Sequence, residues 1–169
     1  MIDIKKRVTI SMLTALAIVI SILESYIPFF VPGVKLGLSN VVILFVIYIY
    51  SYKTTITVSI TKILVVSILR TGLFSLSFFF SVSGSILSLS IMFLLHKFTK
   101  LSIIGISVVG AIFHSIGQIL MSIILFKSAS FLYLLPILII CSVITGIVVG
   151  LVSNKVIAYY KDNLVTNHI

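Results

Sequence analysis

Six polar or ionisable side chains interrupt a very apolar sequence at places where a ligand could be bound, namely Glu24, Lys35, Asn40, Arg70, His114 and Gln118. Arg70 carries a planar fork of donors that can hold a carboxylate or a phosphate. His114 and Gln118 continue a four-residue spacing that runs from Gly110 to Ser122, so these residues share one face of a helix. The same face could instead bond to a neighbouring helix, and both interpretations stay open.

The charges inside the apolar segments each allow a structural and a functional interpretation. An ionisable group within a membrane span costs roughly 2.5 to 3.5 kcal/mol on insertion scales, so such groups usually face protein or water. Glu24 could reach interfacial water, or it could pair with Lys35 or Arg70 and shape an outward-facing pocket. Arg70 could extend to the outer headgroups or clamp an anion, and Lys62 could extend to the rim or contact the ligand.

The composition determines which elements must position these side chains. The chain has 169 residues, of which 60% are hydrophobic and 9% charged, and its mean hydropathy is +1.37. A helical crossing needs roughly 20 apolar residues, so the length allows about six crossings. A closed barrel would alternate in polarity, whereas residues 41–50 are apolar at both parities. We predict an all-α integral membrane protein with a single transmembrane helical domain over residues 1–169.

The apolar runs predict six transmembrane helices, near residues 8–27, 37–52, 54–73, 75–95, 102–126 and 131–153. The second helix is short for a full span and must tilt little, thin the bilayer or be shielded by its neighbours. The basic residues of the connections fall mainly on the side of the N-terminus: Lys5, Lys6, Arg7, Lys53, Lys97, Lys100, Lys155 and Lys161, against Lys35 and Lys127 on the other side. The positive-inside rule therefore predicts that both termini are cytoplasmic.

Several classes of function lack the residues that they require. A prenyl diphosphate synthase holds magnesium with clustered aspartates, but the acids here are only Asp3, Glu24 and Asp162, far apart in the sequence. The sequence has no Walker loop and no recognisable serine-histidine-acid motif. The net charge of +9 is scattered between apolar spans, which does not favour nucleic-acid binding. We expect no catalytic residue, no metal site and no cofactor in this chain.

Small residues on the first helix form two pairs at four-residue spacing, Ser11 with Ala15 and Ala17 with Ser21. Such pairs let another helix approach closely, and that helix could belong to this chain or to a partner.

Several segments together resemble one family of small bacterial membrane proteins. They are LESYIP at 23–28, PGVKLGLSN at 32–40, ILR at 68–70, SGS at 83–85, GISVVGA at 105–111 with His114 and Gln118, and Leu135-Pro136 with Gly146 and Gly150. This pattern is similar to that of the heptaprenyl diphosphate synthase component I family, also called the Gx transporter family. The resemblance covers nearly the full chain.

The resemblance implies a fold and a set of partners. The family resembles the S components of energy-coupling-factor (ECF) transporters, which have six helices and bind vitamins or related small molecules from the outer side. S components work with a transmembrane coupling subunit and a pair of ATPases. A small-residue motif on their first helix often contacts the coupling subunit, and the nearest match here is Ser11 with Ala15. An S-component-like bundle in the bacterial cytoplasmic membrane is the implied architecture.

We therefore expect a non-catalytic binding or uptake component for a small, anionic, amphipathic molecule related to a vitamin, a flavin, a quinone or an isoprenoid. Its pocket would lie between the 28–40 loop and the third and fifth helices, surrounded by membrane lipid. One alternative is a component I subunit that assists polyprenyl diphosphate synthesis by presenting substrate to a separate catalytic subunit. Another is a membrane anchor of a redox complex.

Overall fold

Helices account for nearly all of the residues that the computed structural model describes, which are 4–26 and 37–166. Six α-helices follow one another along these residues: α1 (Ile4–Glu24), α2 (Asn40–Ile49), α3 (Tyr52–Val66), α4 (Leu76–Phe98), α5 (Ile103–Phe126) and α6 (Leu135–Thr166). A π-helical turn, Ser67–Thr71, extends α3, and a 3-10 helix, Ala129–Leu134, leads into α6. The predicted all-helical fold is confirmed.

Serine residues begin three of these helices. The hydroxyl oxygens of Ser51, Ser75 and Ser102 each accept a hydrogen bond from the backbone N–H three residues further on. This contact satisfies one of the amide groups that a helix start leaves without an intrahelical acceptor. The short connections before α3, α4 and α5 are therefore fixed by local sequence.

Five helical segments in the described part of the chain are long and apolar enough to cross a membrane. They are Ile4–Glu24, Tyr52–Arg70, Leu76–Phe98, Ile103–Phe126 and Ala129–Asp162. These segments make this a multi-pass membrane protein. The remaining helix, α2, has 10 residues, which extend only about 15 Å. Residues 42–47 of α2 are all buried, and α2 packs against α1, α3 and α6. Its neighbours therefore shield the short helix, which is one of the arrangements that the sequence allowed.

The helices pack in two groups. The helices α4, α5 and α6 lie side by side in close contact, while α1 packs on α3 and α2. Glycines bring the first group together: a Cβ on Gly117 would lie 2.8 Å from the Cα of Gly84, and one on Gly146 would lie 2.7 Å from the Cα of Val108. In lipid, where the hydrophobic effect does not drive helices together, such close contact is what holds them. The two groups meet where α2 contacts α6 and where α3 contacts α4.

The two small-residue pairs of α1 have different surroundings. Ala17 and Ser21 are buried against the rest of the bundle, whereas Ser11 and Ala15 are exposed. The first pair therefore mediates packing within this chain, and the second leaves one face of α1 open.

The basic residues that were predicted to be cytoplasmic lie near the same end of the bundle. They occur at the starts of α1 and α3, at or just beyond the end of α4, and towards the end of α6, and all eight are exposed. Because successive helices run in opposite directions, these positions fall together. The cytoplasmic orientation of this end stays a prediction.

Candidate ligand-binding cleft

A cleft lies where the two groups of helices meet. In the described conformation its cavity volume is about 10 Å³, room for about one water molecule, so a larger ligand could enter only if the surrounding helices moved apart. Four helices contribute to its lining: α2 gives Asn40 and Ile43, α3 gives Ser59, α4 gives Ser85, Ser88, Leu89 and Met92, and α5 gives His114. Five polar side chains from different parts of the sequence thus converge beside three apolar ones.

A buried lysine stands directly behind the cleft. The ammonium group of Lys62 donates hydrogen bonds to Asn40 Oδ1 at 3.2 Å and to Ser39 Oγ at 3.4 Å. The side chain of Lys62 is only 8% exposed. The residue therefore lies in the protein interior and does not extend to the membrane rim, which the sequence had left open. It fixes the orientation of the Asn40 amide at the cleft wall.

The polar stripe of α5 faces α4. Nε2 of His114 lies 3.3 Å from the side-chain nitrogen of Gln118, and a Cβ on Gly84 would come within 2.8 Å of the His114 ring. Gly84 is therefore the position on α4 that makes room for the imidazole. A Cβ on Gly110 would likewise lie 2.6 Å from the sulfur of Met92 on α4. Further along α5, Ser122 Oγ donates a hydrogen bond to the Gln118 carbonyl of the same helix at 2.9 Å. The stripe serves helix packing along most of its length and lines the cleft at His114.

Glu24 and Arg70 lie at the end of α1 and do not line the cleft. Glu24 is buried, and its carboxylate accepts a hydrogen bond from the backbone N–H of Leu38. Arg70 is exposed; it donates to the Ser25 carbonyl at 2.7 Å and lies 4.2 Å from the centre of the Tyr26 ring. Within 4–26 and 37–166, Glu24 and Arg70 form no ion pair with each other.

The structure thus brings together Asn40, His114 and Gln118 from the predicted set, and it leaves Glu24 and Arg70 at a separate place. Lys35 lies outside the described residues. The predicted grouping of Arg70 with His114 is not observed, because the guanidinium contacts Ser25 and Tyr26, just beyond the end of α1.

Sequence reasoning did not assign Ser59, Ser85 or Ser88 to the site, and it left Lys62 undecided. One pattern could have identified part of this set: Thr55, Ser59 and Lys62 recur at helical spacing, and all are buried on one face of α3. A serine at a helix interface and a serine in a cleft wall look the same in a sequence.

The chemistry of the lining is suited to binding. Hydroxyls, an amide and an imidazole can bond a small polar head, while Ile43, Leu89 and Met92 offer an apolar surface to the rest of a ligand. The buried ammonium of Lys62 adds positive charge one hydrogen bond behind the wall. This combination favours a molecule with an anionic head and an apolar part.

Comparison with known proteins places the chain in a family. The family model described as heptaprenyl diphosphate synthase component I matches residues 13–156. No curated protein and no solved structure matches the chain. The family match extends from α1 into α6 and includes every residue that lines the cleft. The chain belongs to the heptaprenyl diphosphate synthase component I family.

Proposed function

We propose that this protein is a non-catalytic membrane component whose cleft binds a small, anionic, amphipathic molecule in the bacterial cytoplasmic membrane. The observation that carries the proposal is the buried Lys62 ammonium, 3.2 Å from an Asn40 oxygen in the cleft wall. A buried lysine in a membrane protein is costly, and such residues commonly mark a ligand or ion site. An anionic head in the cleft would add a favourable interaction with this ammonium group.

Uptake in the manner of an ECF S component is one form of this function. It is supported by the bundle of six helices with a polar cleft and by the exposed face of α1 that carries Ser11 and Ala15. A coupling subunit would dock on that face, since small residues allow close helix contact in lipid. The ATPases would be supplied by other chains.

The family description favours a second form, in which the protein assists a prenyl diphosphate synthase. The bound molecule would then be a prenyl diphosphate, and the partner would be a separate catalytic subunit. The diphosphate would occupy the cleft after the surrounding helices move apart, and the apolar chain would lie along Ile43, Leu89 and Met92. Both forms share one binding event, so a single experiment tests what they have in common.

The experiment measures binding of farnesyl diphosphate and of flavin mononucleotide to the purified protein in lipid nanodiscs. We expect saturable binding of at least one probe. Asn40→Ala and His114→Ala should each weaken it by about tenfold, the equivalent of about 1.4 kcal/mol. His96→Ala is the matched control, because His96 is exposed at the end of α4. Unchanged affinity in both cleft variants, or no saturable binding of either probe, would contradict the proposal.

Adding the coupling subunit with its ATPases, or the synthase catalytic subunit, separates the two forms. Probe uptake into vesicles that depends on ATP identifies the first. Faster chain elongation in the presence of this protein identifies the second.

A further inference from the structure

We infer that the cleft binds a phosphate-bearing head directly, through cationic and neutral donors, with no divalent metal ion between the ligand and the protein. The inference rests on the proposed function and adds the chemistry of recognition to it. It matters because diphosphates in solution usually carry magnesium, and many proteins hold them through that ion.

Acidic side chains are absent from the described lining of the cleft. Magnesium bound together with a phosphate is usually held by one or two protein carboxylates. None of the eight residues that line the cleft within the described part of the chain is acidic. Of the three acids in the sequence, Asp3 lies outside the described residues, Glu24 accepts a hydrogen bond from Leu38 N–H, and Asp162 is exposed near the end of α6. The cleft wall therefore supplies donors where a metal site would need carboxylates.

Two sources of positive potential meet at Asn40. The ammonium of Lys62 lies 3.2 Å from Asn40 Oδ1, and Asn40 is also the first residue of α2. The N-terminus of a helix carries a partial positive charge and favours a nearby anion. Lys62 is buried and Asn40 is half-buried, and a low local dielectric strengthens the attraction of Lys62 for an anion. The N–H groups of Asn40 and Val41 already donate to backbone carbonyls of the preceding turn, so the helix end contributes its dipole and not these two donors. An oxyanion beside Asn40 would interact favourably with both at once.

Neutral donors complete the lining. Asn40 Oδ1 accepts from Lys62, which leaves the amide NH₂ group to donate. Ser59, Ser85 and Ser88 line the same cleft, and across 4–26 and 37–166 their hydroxyls make no hydrogen bond to another protein group. Three hydroxyls and one amide can therefore be used by phosphate oxygens.

The test compares farnesyl diphosphate with farnesol, which has the same tail and no charge, on protein in nanodiscs, with empty nanodiscs as the reference for lipid partitioning. Each titration is run in magnesium and again in EDTA. We expect farnesyl diphosphate to bind with the same affinity, within about twofold, in both buffers, and farnesol to bind at least about tenfold more weakly.

Variants of α3 test the part that charge plays. Lys62→Met should weaken binding of farnesyl diphosphate by at least about tenfold, while Lys62→Arg, which keeps the charge, should lose less. Lys53→Met is the matched control, since Lys53 is exposed on the first turn of the same helix. The EDTA comparison needs no variant, so it stands even if Lys62→Met does not fold.

The outcomes separate this inference from the proposed function. Binding that requires magnesium, farnesol that binds as tightly as the diphosphate, or Lys62→Met with native affinity would overturn the inference and leave a ligand-binding cleft. Binding of flavin mononucleotide without binding of farnesyl diphosphate would also overturn the inference and leave a ligand-binding cleft. Failure of both anionic probes to bind would overturn the proposed function, and the inference with it.

Discussion

Replacing Gly117 with alanine should separate α4 from α5 and so disturb the wall that carries His114. A Cβ at this position would lie 2.8 Å from the Cα of Gly84 and 2.8 Å from the carbonyl oxygen of Ser83. Both atoms belong to the backbone of α4, so no side chain can rotate out of the way. Ordinary contact begins at 3.4 Å, so the two helices must move apart locally by about 0.6 Å.

The loss of stability in Gly117→Ala follows from these contacts. Overpacking a tight contact costs typically about 1 to 3 kcal/mol. The movement also strains the hydrogen bond that Ser83 Oγ donates to the Gly117 carbonyl at 2.7 Å, and a bond of this kind in a membrane protein is worth about 0.6 kcal/mol. Alanine favours the helix over glycine by up to about 1 kcal/mol, which offsets part of the loss. We expect a net loss of about 1 to 3 kcal/mol.

Gly105→Ala is the matched control on the same helix. A Cβ there would meet its nearest atom, Ser102 Oγ, at 3.5 Å, which is ordinary contact. This variant should be as stable as the wild type or more stable by up to about 1 kcal/mol. Unfolding in mixed detergent and SDS micelles, followed by circular dichroism, measures the difference. If Gly117→Ala unfolds at the same SDS fraction as Gly105→Ala, the close approach of α4 and α5 is refuted.

Two serines of α6 should respond to alanine in opposite ways. Ser153 is fully buried, and its hydroxyl has no hydrogen-bond partner among the described residues, so Ser153→Ala should leave the free energy of unfolding unchanged or raise it by up to about 1 kcal/mol. Ser142 shares a hydrogen bond with Ser115 at 2.6 Å and donates to the Leu138 carbonyl at 2.7 Å, so Ser142→Ala should lower it by about 1 kcal/mol. The same micelle unfolding assay compares the two variants. Equal losses in the free energy of unfolding would contradict the different hydrogen bonding of Ser142 and Ser153.

The sequence predicted the helices well because hydropathy reports directly which segments can enter lipid. It was less accurate about where helices end. The sixth helix was predicted to end at 153, but α6 continues to Thr166, and α1 begins at Ile4 rather than near residue 8. A hydropathy pattern reports the thickness of the membrane, whereas a helix can continue into water when its residues still favour it. Lys155 and Lys161 lie on such an extension.

The candidate site was harder to predict, because it depends on which face of each helix meets which neighbour. Nothing local to Lys62 distinguishes a buried lysine from one that extends to the rim. Its burial depends on α2, whose first residue meets Lys62 across 22 positions of sequence. Arg70 was grouped with His114 because both side chains suit an anionic head group. Its contact with the Ser25 carbonyl depends on where α1 ends relative to α3, which the sequence alone does not encode in any simple pattern.

Photocrosslinking tests the central claim, a ligand cleft between α2, α3, α4 and α5, most directly. The probe is a farnesyl diphosphate analogue with a diazirine beside its head group, applied to the protein in nanodiscs and mapped by mass spectrometry of the peptides. We predict adducts on residues 85–92 of α4 and at His114 of α5, suppressed by excess farnesyl diphosphate. Adducts confined to the surface at Tyr26 and Arg70, or adducts that excess ligand does not suppress, would contradict the claim.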